Sequence, residues 1–202
     1  MIDPESVLAL LDEPLVAAVK ARARRDAAFG RAIRVLDASA CELPDAAATT
    51  AALLAPPQAG PWPQLTTLAP GSAVVVQVEA SAEGRARYVG WLAEAAARGL
   101  PALALAPCSR DDAGLHRLWC VAAARLLLPD TVSIHARFDL LGIRLAQLAL
   151  GFGADALVGP IAPDRMLLLC GVTRPDEATH AGLQTLVRHA GLQPAPSTEV
   201  TR

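Results

Sequence analysis

Lysine is nearly missing from this chain: Lys20 is its only one, and the remaining basic residues are arginines. Alanine is abundant at the same time, a pairing that reads as coding bias and carries no functional signal. Positive excess is also missing. Lys and Arg number 18 against 20 Asp and Glu, a formal charge of -2, so the chain lacks the basic surface that tracking a phosphate backbone requires and nucleic acid is not an expected partner. Every long apolar stretch is interrupted by charge or proline within about 18 residues, the minimum for a spanning helix, which argues against a membrane protein. The opening Met1-Ile2-Asp3-Pro4-Glu5 is acidic and broken by proline, unlike a secretory leader, so a cytoplasmic location is expected. Cys41, Cys108, Cys120 and Cys170 are widely spaced with no CxxC among them, and they read as reduced thiols. A Gly-rich phosphate loop, a nucleophile elbow and a carboxylate pair at helical spacing are all lacking.

What is present is a globular composition. Of 202 residues, 53% are hydrophobic, 19% charged and 3% aromatic, which excludes disorder of the whole chain and allows one substantial core. Asp3-Pro4 and Glu13-Pro14 are good helix starts and Gly30 a stop, so the first thirty residues predict two short helices. Ile33 to Leu36 is a brief strand candidate. Residues 38–72 are rich in alanine and proline, including Pro56-Pro57 and Pro61-Trp62-Pro63, and read as a linker or wrapping arm.

From Gly71 onward the pattern becomes regular. Val74-Val75-Val76-Gln77-Val78 is a β-branched run of the kind covered on both faces in a parallel sheet. Tyr88, Val89, Leu92, Ala95 and Ala96 recur at helical spacing up to Gly99, before a second strand at Ala102 to Ala106. Asp111 or Asp112 can cap a helix with a stripe of Leu115, Leu118, Trp119, Ala122 and Leu126, followed by a strand at Thr131 to His135. A helix with Leu141, Leu145, Leu148 and Phe152 on one side precedes a strand at Ala154 to Val158, and Thr173 can cap a last helix whose Leu183, Leu186, Val187 and Ala190 face inward. Alternating strands and helices predict an α/β fold with a parallel sheet of about four to five strands behind an N-terminal helical segment. A closed eight-stranded barrel typically needs about 250 residues, so an incomplete, partial barrel is expected. The organisation reads as N-terminal helices and strand over 1–37, an arm over 38–72, a partial barrel over 73–195 and a disordered tail over 196–202.

Leu141-Gly142-Ile143-Arg144-Leu145-Ala146-Gln147-Leu148-Ala149-Leu150-Gly151-Phe152-Gly153-Ala154-Asp155 resembles the Leu-Ala-Gln helix and Gly-Ala-Asp approach to the last barrel strand in the radical S-adenosylmethionine enzymes of the futalosine route to menaquinone, and in the related deazaflavin synthases. Arg125-Leu126-Leu127-Leu128-Pro129 and His189-Ala190-Gly191-Leu192-Gln193-Pro194 are similar in kind. Val74 to Pro107 resembles that family's fifth strand, helix and sixth strand, Glu79 matching its acidic strand-end residue, while Gln77 stands where the family has histidine. The resemblance spans roughly residues 73–195.

The departure is the cluster loop. Those enzymes hold a 4Fe-4S cluster on a CxxxCxxC motif, because three irons take thiolates while the fourth binds the cosubstrate. Cys41 follows the first strand candidate, but four and seven residues on stand Asp45 and Ala48. The strands expected between that loop and Val74 are replaced by the alanine and proline segment.

Four residues stand out as candidate ligand contacts. Cys108 follows a strand end, where parallel sheets bind ligands, although a small buried hydrophobe is the plainer reading. His135 and Arg137 alternate onto one side of a strand end and could meet a carboxylate or phosphate; alternatively Arg137 pairs with Asp139. Glu79 could accept from a ligand hydroxyl or simply be solvated, and Phe138 matches an aromatic of the family. His116 and Cys120 share a helix face and with Cys108 could supply soft ligands, but a fourth is not evident and no metal is expected. His180 and His189 are out of phase on one helix. No cofactor and no catalytic residue is assigned. The expectation is a truncated, cluster-lacking relative of the menaquinone enzymes serving as a noncatalytic accessory or small-molecule-binding protein, with the arm of residues 38–72, a second copy or a partner protein such as a full-length relative covering the open barrel. The alternatives are non-radical chemistry around Cys108 and a structural partner subunit of a full-length radical enzyme.

Overall fold

The computed structural model describes residues 2–37, 73–99, 104–109, 114–161 and 175–196. The arm at 38–72, the tail beyond 196, Cys41, Cys170 and the caps proposed at Asp111, Asp112 and Thr173 lie outside the described residues.

Two proline-led helices open the chain. In α1 (Pro4–Ala9) the Asp3 carboxylate accepts from the Ser6 amide at 2.9 Å, meeting one of the donors a helix start leaves orphaned. The second, α2 (Pro14–Phe29), is not short: it runs for 16 residues to Gly30 and buries Ala17, Ala21 and Arg25. After β1 (Ala32–Asp37) and β2 (Ala73–Gln77), Ser81 caps α3 (Ala82–Arg98), which ends at the left-handed Gly99. Then follow β3 (Ala104–Cys108), α4 (Gly114–Leu127), β4 (Ser133–Arg137), the single turn α5 (Phe138–Leu141), α6 (Ile143–Gly151) and β5 (Ala156–Gly159). A 3-10 turn at Pro175–Ala178 leads into α7 (His180–His189), capped by the Thr179 side chain, and β6 (Gln193–Pro194) closes the described chain.

The strands form one open, all-parallel sheet in the order β2-β3-β4-β5-β1-β6. The fold is therefore α/β, with six parallel strands and seven helices among the described residues. Two features differ from the sequence expectation. Gln193–Pro194 adds a sixth strand, too short for period-two alternation to reveal, and β1 sits inside the sheet with Leu36 opposite Val158 of β5 and Ile33 opposite Pro194 of β6.

Alternation divides the strands between two faces. Ile33, Val35, Val74, Val76, Val78, Leu105, Ile134, Ala136 and Leu157 join the helices in the main core. The opposite face carries Val75, Ala106 and Cys108, packed with Leu140, together with Arg34, His135, Ala156, Arg137 and Val158. Two stripes run differently from the sequence expectation. Leu115 of α4 points outward, 59% exposed, and so does Leu148 of α6, 58% exposed, because α6 restarts after the break at Gly142 and lays Ile143, Ala146, Ala149 and Leu150 on the core. Small alanines let that helix approach closely, so the leucine pattern alone misplaces its buried side.

A buried polar network ties the amino ends of the central strands together. Asp155, just ahead of β5, accepts from Arg125 of α4 at 2.5 Å, from the Ile134 amide at 2.6 Å, and from Ser133 and Arg34 at 2.7 Å each. Arg125 also donates to the Gly153 and Val132 carbonyls at 3.0 and 3.1 Å. Gly153 has φ +98, and a Cβ there would lie 2.9 Å from the Arg125 side chain. The residues Gly153-Ala154-Asp155 thus have separate physical reasons: close approach, full burial of Ala154, and a carboxylate that pairs a buried guanidinium.

Candidate functional site

The carboxyl ends of parallel strands are where α/β sheets place ligands, because the loops there are free to vary while the strands hold them. In this sheet that end is built from Asp37, Gln77, Cys108, Arg137 and Gly159. The strand register sets Gln77 beside Cys108, Val75 beside Ala106, Arg137 beside Val158 and His135 beside Ala156. Cys108, His135 and Arg137 thereby share the face away from the main helical core, and Glu79 continues past the end of β2 as an exposed residue at the entrance to α3.

Each candidate has its own environment. Cys108 is buried and packs against Val75, Ala106 and Leu140, a small hydrophobe in an apolar patch. His135 is 5% exposed, and burial pushes its pKa down to about 4, Arg34 and Arg137 adding to the fall while Asp155 opposes it. The ring is neutral at physiological pH. Arg137 grips Asp139 with both arms of its guanidinium, at 2.8 Å from Nε and 2.5 Å from Nη2, in the fork geometry that suits a carboxylate. Much of its charge is therefore answered within the chain.

His116 and Cys120 do share a helix face, with the sulfur 3.7 Å from His116 Nε2, but they lie in the helical core. Strand alternation puts Cys108 on the other side of the sheet. Burial raises the Cys120 thiol well above its ordinary range, Tyr88 donates to the Cys120 carbonyl at 3.0 Å, and His116 stacks on Trp119. This is a packed core cluster. Among the described residues no three His, Cys, Asp or Glu side chains stand together as a metal site. A four-iron cluster needs three neighbouring thiolates, and the described Cys108 and Cys120, divided between the two faces, do not fit it. His180 and His189 begin and end α7, and His180 instead meets Gln184 at 2.9 Å.

Two residues at this end are additional to the sequence candidates. The Gln77 Oε1 is buried without a hydrogen-bond partner, a costly position for an amide oxygen. Its signal was one polar side chain inside a run of valines. Gly159, at the end of β5, lies under the Phe138 ring, and a Cβ there would come within 2.5 Å of it. Phe138 is thus held over the strand end by the absence of a side chain beneath it.

Chemically, the cluster combines an apolar floor, a neutral imidazole, an orphaned amide oxygen and an internally paired guanidinium. That set places hydrogen-bonding groups of different kinds beside an apolar surface at one end of the sheet. Among the described residues no helix is long and apolar enough to cross a membrane. Compared with known protein families and with curated proteins, the chain matches none.

Proposed function

We propose that this chain is a relative of the menaquinone-pathway radical enzymes that lacks the cluster loop and works as a noncatalytic accessory or small-molecule-binding protein, its sheet being part of a barrel wall. The strand order carries this reading. In a closed eight-stranded barrel each strand neighbours the next and the last neighbours the first; here β2, β3, β4 and β5 are consecutive and β1 follows β5, with the two-residue β6 added beyond β1. Residues 38–72 are too few even for the two further strand-helix units that eight strands would need, at roughly 30 residues each. The two stretches that carry the resemblance also bond to each other, since Arg125 of the Arg-Leu-Leu-Leu-Pro segment donates to Gly153 and Asp155 of the Phe-Gly-Ala-Asp segment. Gln147 of the Leu-Ala-Gln helix reaches the Leu186 carbonyl of α7 at 2.9 Å, tying in the third stretch.

On this reading the ligand lies at the carboxyl ends, against Glu79, Cys108, His135 and Arg137, with Gln77 supplying an acceptor. Radical chemistry is not proposed, because the sequence offers no CxxxCxxC loop to present three thiolates. Iron and acid-labile sulfide assays on anaerobically purified protein test the central point. Iron well below one per chain is expected; about four irons and four sulfides per chain would overturn the proposal.

A further inference from the structure

The outer side of α2 carries larger apolar side chains than its inner side. Inward it presents Ala17 and Ala21, both fully buried; outward stand Leu15, 78% exposed, and Val19, 68% exposed, with Val16 beside them. These are three of the five large apolar side chains exposed among the described residues, so they form a cluster, where an isolated surface leucine would carry no meaning. The helix is not free to roll and hide them. Arg24 donates to the Leu126 and Leu128 carbonyls, and Arg25 to the Leu150 and Ala154 carbonyls at 2.9 and 3.1 Å, which fastens the inner side to the carboxyl ends of α4 and α6.

Charge is arranged along the same line. Leu15, Val19 and Arg22 follow one another at steps of four and three residues, the spacing of a helical seam. Asp12, three residues ahead of Leu15, stands exposed in the turn before the helix. The order acid, apolar, apolar, base is therefore symmetric in spacing about position 17. Arg22 meets Asp26 of its own helix at 3.6 Å with its side chain 47% exposed, a contact that holds it weakly.

We propose that the outer stripe of α2 is a homodimer interface in which the α2 helices of two copies pack antiparallel about a two-fold axis level with position 17. Charge complementarity selects the occupant. A second copy turned end for end sets Leu15 on Val19 and Asp12 on Arg22, and does so at both ends of the contact. A parallel pairing fails, because it sets Asp12 on Asp12 and Arg22 on Arg22. A uniformly anionic or uniformly cationic partner fails for a related reason, since one end of the stripe repels it. The antiparallel contact is isologous and closed, so it stops at two copies. One helix pair is a small interface, which makes the association weak and dependent on concentration. The stripe lies on the helical side of the molecule, and this inference depends neither on the proposed ligand site nor on the family reading.

The test uses the full chain in sedimentation experiments from micromolar to millimolar concentration. A monomer that converts to a dimer as concentration rises is expected, more weakly at high salt. Leu15→Ser with Val19→Ser, both on the exposed side, should keep the circular dichroism of the wild type and remain monomeric, whereas Leu115→Ser should still dimerise. Asp12→Arg alone and Arg22→Asp alone should each dimerise about tenfold more weakly. Mixed in equal amounts, those two variants should recover the wild-type affinity, because each then offers the charge the other lacks at both ends. A wild-type chain that stays monomeric throughout would refute the interface. So would a dimer that survives the double serine variant, or two charge variants whose mixture associates no better than either alone. Binding of the monomer to phosphatidylglycerol vesicles, lost in the double serine variant, would give the stripe to a membrane surface and overturn the proposal.

Discussion

Arg125 and Asp155 meet at 2.5 Å with side chains only 1% and 2% exposed, joining the end of α4 to the start of β5. Burial lowers the Arg125 pKa to about 10, with Asp155 holding it up, so the guanidinium stays charged at neutral pH. Each partner is further satisfied, Arg125 by two carbonyls and Asp155 by the Ile134 amide and the Ser133 hydroxyl.

Removing one member of such a pair strands a charge in the interior. Arg125→Met and Asp155→Ala are each expected to cost about 3–5 kcal/mol in urea unfolding. Arg34, which meets the same carboxylate from a position 47% exposed, should matter far less, with Arg34→Ala costing about 1 kcal/mol or below. Equal losses for Arg34→Ala and Arg125→Met would show that the buried pair is not the keystone of this corner.

Phe138 and Gly159 form a second dependent pair. Gly159→Ala forces a methyl into the aromatic ring and is expected to destabilise by about 1–3 kcal/mol. Phe138→Leu in the same chain should recover part of that loss, although each substitution alone is harmful. The double-mutant cycle measures the coupling, and strictly additive losses would mean that the ring does not rest on Gly159.

His135 sets a pH window. Its folded pKa of about 4 lies below the unfolded value near 6.5. The unfolded chain therefore binds the proton first, so this residue's contribution is intact above about pH 6.5 and stability falls as pH drops from there towards 4. The loss is expected to be on the order of 2–3 kcal/mol. His135→Asn should flatten the slope of unfolding free energy in that window; an unchanged slope in the variant would assign the acid sensitivity to other groups.

The elements were legible where local chemistry is enough. A valine run and the Gly99 stop mark β2 and the end of α3 within a residue or two of where they form, while the Ser81 cap emerges from the structure. The last helix was legible as a helix, yet the threonine that caps it is Thr179, whose side chain accepts from the Gly182 amide at 3.1 Å. In the candidate site, the shared side of His135 and Arg137 followed from alternation, and the Arg137–Asp139 pair from their spacing. Gln77 was not legible as an orphan, because whether an amide oxygen finds a donor depends on what surrounds it in three dimensions.

By itself the sequence determined the alternation of strands and helices and the absence of a three-thiolate loop. Those are properties of periodicity and composition along the chain, and they need no knowledge of neighbours. Only the tertiary structure decided that β1 lies between β5 and β6, that Arg125 answers Asp155, and that Leu115 and Leu148 face out. Strand adjacency and buried charge pairing join residues far apart in sequence, and a helix chooses its buried side by how closely it can pack, which local pattern does not record.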